Sequence, residues 1–128
     1  MSYYYSKTIQ KTYEEAHPYL EEKLKDYGFG IVSELEMHKK FKEKLNVDFR
    51  PYKILGACSP KHAFEAVSAE EHIGLMLPCN VVVQEAENGK TLVSAIDPVA
   101  SMQAVENKSL DHVAEQVKAK LQKVIASI

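Results

Sequence analysis

Cysteine is scarce in this chain: Cys58 and Cys79 are the only two among 128 residues. So few thiols exclude a disulfide-stapled secreted scaffold, and a pair of this kind is more often free in a reducing compartment. Long apolar runs are missing as well. The longest stretch without charge, HIGLMLPCNVVVQ, has about 13 residues and is broken by Pro78, short of the roughly 20 that a spanning helix needs. The opening MSYYYSKTIQ is polar and aromatic rather than cationic then apolar, so it does not read as a signal peptide. A soluble, cytoplasmic protein with no membrane partner is the expectation. Charge of one sign is not in excess either. Lys and Arg number 16 against 18 Asp and Glu, a net of -2, which gives no overall pull toward nucleic acid. No linker, repeat or low-complexity tract divides the chain, and 45% hydrophobic residues suffice for a core without metal or disulfide. One domain over residues 1–128 is expected.

Periodicity supplies the elements. SYYYSKTIQK is rich in β-formers and reads as a first strand. Thr12 and Glu15 form a T-x-x-E capping box, and Tyr13, Ala16, Leu20, Leu24 and Tyr27 come after it at spacings of three and four, an amphipathic helix closed by Gly28. Pro18 conflicts with it, predicting a kink or a later start. In FGIVSELEMH, Phe29, Ile31, Ser33, Leu35 and Met37 alternate toward the core. KKFKEKLN supports a short turn or helix at most. YKILGACS reads as a buried strand, and a helix starts at Pro60. NVVVQEAENGKTLVSAID is a hairpin on Asn88-Gly89, the dipeptide that type I′ turns prefer. VASMQAV is one loose helical turn. A last helix from about Ser109 buries Leu110, Val113, Val117, Leu121, Val124 and Ile128. Strand, helix, strand, strand, helix, hairpin, helix describes a two-layer α+β fold, with a mostly antiparallel sheet and helices on one face. Val82 opposes Val81 and Val83, so the second sheet face also looks buried, and a homodimer is expected to cover it.

The candidate site lies at GACSP. Ser59 and Pro60 read as N-cap and first helical residue, the hydroxyl accepting a backbone N–H. Cys58 then precedes the positive end of a helix, with Lys61 and His62 in the first turn, a setting that favours thiolate. The plain reading is favoured over this one: both cysteines are small hydrophobes in apolar text. Metal ligation would need more donors than His62, His72 and Asp97 conveniently offer, and no zinc, redox, nucleotide-cradling or nucleophile-elbow motif occurs. No metal and no cofactor is therefore expected. His112 reads as a boundary residue. The basic run HKKFKEK reads as a solvated face, with no nucleic-acid partner.

At these residues a family resemblance enters. YKILGACSPKHAFEAV, IGLMLPCNVVVQE and AIDP resemble the bacterial and archaeal domain of unknown function 302, which carries cysteine-x-proline, P-C-N-V-V-V and I-D-P in that order. YGFGIVSELEM is similar to its G-F-x-V-x-x-E-I stretch, while SAEEHIG departs from its D-P-x-I-G form. The resemblance covers about Tyr4 to Leu121. It implies a compact β-α-β(4)-α domain with a tendency to homodimerise, and no settled activity. It points to Cys58, Cys79, Asn80 and Asp97. Two functional readings are open. One is a small-ligand-binding domain with Ser59, His62, Asn80 and Asp97 contributing to the pocket. The other is a thiol-based redox or nucleophilic enzyme using Cys58 with Cys79. Beside both stands a structural or interaction protein without a site.

Overall fold

The computed structural model describes residues 2–128. Five strands form one antiparallel sheet: β1 (Tyr4–Ile9), β2 (Gly30–Glu36), β3 (Tyr52–Cys58), β4 (Cys79–Glu85) and β5 (Thr91–Ile96). Their spatial order is β1-β5-β4-β3-β2. The helices are α1 (Tyr13–Asp26), α2 (Met37–Leu45), α3 (Pro60–Ala69), the single-turn α4 (Pro98–Ser101) and α5 (Asp111–Ser127). Leu55, Val81, Val83, Val93 and Ala95 face Leu20, Leu24, Leu121 and Val124 in one buried core. The fold is two-layer α+β.

Both arms of the predicted capping box form at α1: Thr12 Oγ1 accepts from the Glu15 N–H at 3.2 Å, and Glu15 Oε1 accepts from the Thr12 N–H at 3.0 Å. The helix neither starts late nor stops at Pro18, which lies on its exposed side. Ala16, Leu20 and Leu24, each fully buried, hold the helix against the sheet and offset the missing backbone bond. Gly28 takes φ +85°, and the Phe29 N–H donates to Leu24 O across it at 2.9 Å, the left-handed closure that only glycine adopts without strain.

Three expectations change. The alternation predicted through Leu35 and Met37 breaks at a bulge: Ile31 pairs with Ala57 but Ser33 with Gly56, leaving Val32 as the extra residue. One inserted residue exchanges the faces of the residues after it. Leu35 is therefore 40% exposed, and Glu34 and Glu36 turn to the helical side. There the buried Lys53 ammonium donates to His17 Nδ1 at 2.9 Å and lies 3.3 Å from Glu34 Oε1, the pairing a buried charge requires. Second, the segment expected to be a short turn or helix at most is a nine-residue helix, α2, which already begins at Met37 instead of leaving it to the strand and is closed by Asn46 in the left-handed region. Lys39, Lys40, Lys42 and Lys44 stand exposed on it beside Glu36, Glu43 and Asp48. Third, Asn88 and Gly89 take positive φ as predicted, but Ala86 N–H donates to Lys90 O. The hairpin loop is Glu87–Gly89 rather than a two-residue turn.

Gly56 needs the absence of a side chain for a different reason. A Cβ there would collide with Ser33 Oγ and Pro78 Cγ, so the closeness of β2, β3 and the chain entering β4 depends on this residue.

Candidate functional site

An apolar cavity of about 240 Å³ opens where the end of β3 and the start of β4 meet α3 and α5. Register brings the two thiols to one place. Ala57 pairs with Cys79, and Cys58 is the next residue, so the 20 residues between the cysteines end within one step of the ladder. Cys58 is half-buried and Cys79 buried, both are free thiols, and both line the cavity. Burial, followed by the nearby Cys58 sulfur, pushes the Cys79 thiol up to about 11. Leaving water disfavours the thiolate, so at neutral pH Cys79 is a protonated, apolar wall.

Ser59 does not do what its position suggested. It is the N-cap residue of α3, but no backbone N–H donates to its side chain. Its Oγ instead lies 2.7 Å from His62 Nδ1, and His62 Nε2 lies 3.2 Å from Gln116 Oε1 on α5. Ser59 is 8% and His62 5% exposed. The physical reason is the imidazole. A buried ring with two polar nitrogens must find partners for both or lose the hydration of each. Residues three apart on a helix are neighbours, so Ser59 is the partner in reach for one nitrogen. Gln116, on the other side of the cavity, is the partner for the second. With the Gln116 carbonyl oxygen accepting from Nε2–H, Nδ1 carries the lone pair and the serine hydroxyl donates to it. The first-turn amides of α3 are left without a side-chain cap.

Four of the sequence-predicted residues thus meet around one cavity: Cys58, Ser59, His62 and Cys79. The other two do not. Asn80, next along β4 from Cys79, points from the uncovered face of the sheet, beside Tyr52, Val82 and Ser94; alternation along a strand separates it from its neighbour. Asp97 is buried and fully engaged in holding the chain. It caps α4 by accepting from the Val99 and Ala100 N–H groups at 2.9 and 3.4 Å. It also accepts from Tyr5 Oη at 3.0 Å and sits 3.5 Å from Lys118 Nζ, whose ammonium it holds above the ordinary lysine range. Its neighbour Pro98 lines the cavity, but Asp97 does not. Lys61 is exposed. Sequence reasoning missed Gln116, 54 residues from His62, and Val32, the bulged residue that rims the cavity. No local signal marks the first. Among the described residues no group of three or more His, Cys, Asp or Glu could hold a metal, and no helix is long and apolar enough to cross a membrane.

This architecture can be set beside known proteins. The family model "Domain of unknown function DUF302" matches residues 5–128. The chain belongs to the DUF302 family. The crystal structure of an uncharacterized conserved DUF302 protein from Bacillus stearothermophilus superposes with a TM-score of 0.88 at 28% identity, over 98% of each chain. No curated protein matches. The DUF302 segments resembled in sequence, GACSP and LPCNVVV, are the two that meet in space at the cavity.

Proposed function

We propose that this DUF302 domain binds a small, largely apolar molecule in the cavity beneath α3. The observation that carries the reading is the cavity itself: about 240 Å³, walled by Ala66, Val113 and Val117, with Ser59 and His62 as its concentrated polar feature. Small-molecule sites have this composition, apolar walls with a few placed polar groups. The size suits a short branched or aromatic alcohol, amide or acid with its polar end toward Ser59 and His62. The test is thermal shift against a panel of such compounds, on the natural chain and on Ala66→Leu, which fills the cavity from a position 2% exposed. A saturable rise in Tm for a compound, lost in Ala66→Leu, is the expected result. No rise for any compound, or an equal rise in both proteins, overturns the reading.

The thiol alternative is narrowed by one observation. A Cys79 thiol pushed to about 11 is a poor attacking sulfur at neutral pH, so thiol chemistry, if present, starts from Cys58. Free cysteines fit a cytoplasmic setting.

A homodimer accompanies the binding reading. The uncovered sheet face carries Tyr4, Tyr52, Val82, Leu92 and Ile96 interspersed with Asn80, Gln84 and Ser94, and none of these is charged. One charge borders these residues, the Arg50 guanidinium that donates to Gln84 Oε1 at 3.0 and 2.8 Å; the uncharged strand residues themselves can meet their own copy across a two-fold axis with little like-charge repulsion. Sedimentation velocity on the natural chain and on Val82→Glu checks this: a dimer converting to monomer is expected. A natural chain that sediments as a monomer at every concentration refutes it.

A further inference from the structure

Gln116 is exposed, His62 and Ser59 are buried, and the three are joined by hydrogen bonds of 3.2 and 2.7 Å. The chain of bonds runs from solvent to the cavity wall. Mere satisfaction of a buried histidine would be met by any two acceptors or donors. Here one partner is a primary hydroxyl that, with the ring proton on Nε2 facing Gln116 Oε1, donates to the Nδ1 lone pair and lines an apolar, accessible cavity, the arrangement of a nucleophile beside its general base. We propose that the cavity is an acyl-transfer site, with Ser59 as nucleophile and His62 Nδ1 as base, for esters of short apolar acids. The proposal rests on the cavity's being a binding site for small apolar molecules.

The step balances within the named groups. Ser59 Oγ adds to the ester carbonyl carbon as its proton passes to His62 Nδ1. The adduct collapses, the carbon–oxygen bond to the alcohol breaks, and the alcohol leaves with the proton from His62. Acyl-Ser59 remains, and a water molecule, giving its proton to Nδ1 as it attacks, releases the acid and restores the hydroxyl. Negative charge on the adduct's oxygen falls beside the first turn of α3, whose N–H groups no side chain caps, where aligned amide donors stabilise it. Gln116 touches no reacting atom. It is a positioning residue that keeps the proton on Nε2 and so keeps Nδ1 basic, the role an acceptor plays behind any catalytic imidazole.

The experiment is incubation of the natural chain with p-nitrophenyl butyrate, followed by intact mass and peptide mapping, with thermal shift by butyramide run in parallel. Expected are a burst of p-nitrophenolate of one equivalent and one butyryl group on Ser59. Ser59→Ala should lose both, and His62→Gln should slow the burst by about 100-fold, the usual size of a general-base contribution. Gln116→Leu should slow it too and Gln116→Glu restore it. Equal loss in both removes the positioning role. If Ser59→Ala does not fold, mapping on the natural chain still decides. A butyryl group on Cys58 or Lys61 in place of Ser59 overturns the proposal. So does no acylation while butyramide still raises Tm, which leaves the binding reading intact. Failure of both measurements sinks the two together.

Discussion

Ionising Cys79 should cost this fold measurably, and the cost can be worked from its surroundings. The side chain is 7% exposed, and burial moves its thiol from an ordinary 9.0 to about 11. Below pH 9 the thiol is protonated in both folded and unfolded chains, and pH has no leverage through it. Between pH 9 and 11 the unfolded chain has released this proton and the folded one has not, so stability falls as pH rises. Two pH units correspond to about 3 kcal/mol. The assay is urea unfolding of the natural chain and of Cys79→Ala from pH 7.5 to 11. Tyr5 and Tyr13, whose phenols burial also pushes up, contribute the same slope to both proteins and cancel in the difference. The natural chain should lose its advantage over the variant steadily above pH 9. Alkylation reads the same quantity by another route: at pH 8 the folded protein should carry about a hundredfold less Cys79 thiolate than the unfolded chain, and iodoacetamide should label it correspondingly slowly. A stability difference that stays flat with pH, or Cys79 labelled as fast in the folded protein as in urea, would refute the account of a desolvated thiol.

Other outcomes rest on packing. Gly56→Ala should lower stability by about 2 kcal/mol, the usual cost of forcing a methyl into a filled space, because Ser33 and Pro78 already occupy it; thermal unfolding checks this, and a neutral result would mean that β2 and Pro78 shift freely. Leu121→Ala, at a fully buried position of α5, should cost about 3 kcal/mol by urea denaturation. Asp97→Ala removes the cap of α4 together with the acceptor for Tyr5 and the partner of Lys118, and should cost about 2 kcal/mol while leaving ligand-induced shifts in Tm intact, since Asp97 does not line the cavity. A variant that keeps its stability but loses ligand response would return Asp97 to the site.

Much of the fold is local and so was readable. Capping by Thr12 and Glu15, closure at Gly28, the spacing of Leu110, Val113, Val117, Leu121 and Val124, and the valine alternation of β4 each depend on residues within a few positions of one another. So did the place of the candidate site, because a proline at the first position of α3 fixes the helix start and thereby locates Cys58, Ser59 and His62. What the hydroxyl of Ser59 does was not local. Cap and imidazole compete for it, and the outcome turns on how deeply α5 buries the ring and on Gln116 arriving from the far side. The bulge at Val32 was equally beyond reading, since it is defined by the partner strand, and it sent Leu35 and Glu34 to faces opposite to those the alternation predicts. The convergence of Cys58 with Cys79, and the parting of Cys79 from Asn80, came from strand register and pleat. Sequence alone therefore determined most of the elements and placed GACSP at the junction of a strand end and a helix start. Tertiary structure decided which side chains share that opening, because hydrogen-bond partners and burial belong to surfaces that distant segments create together.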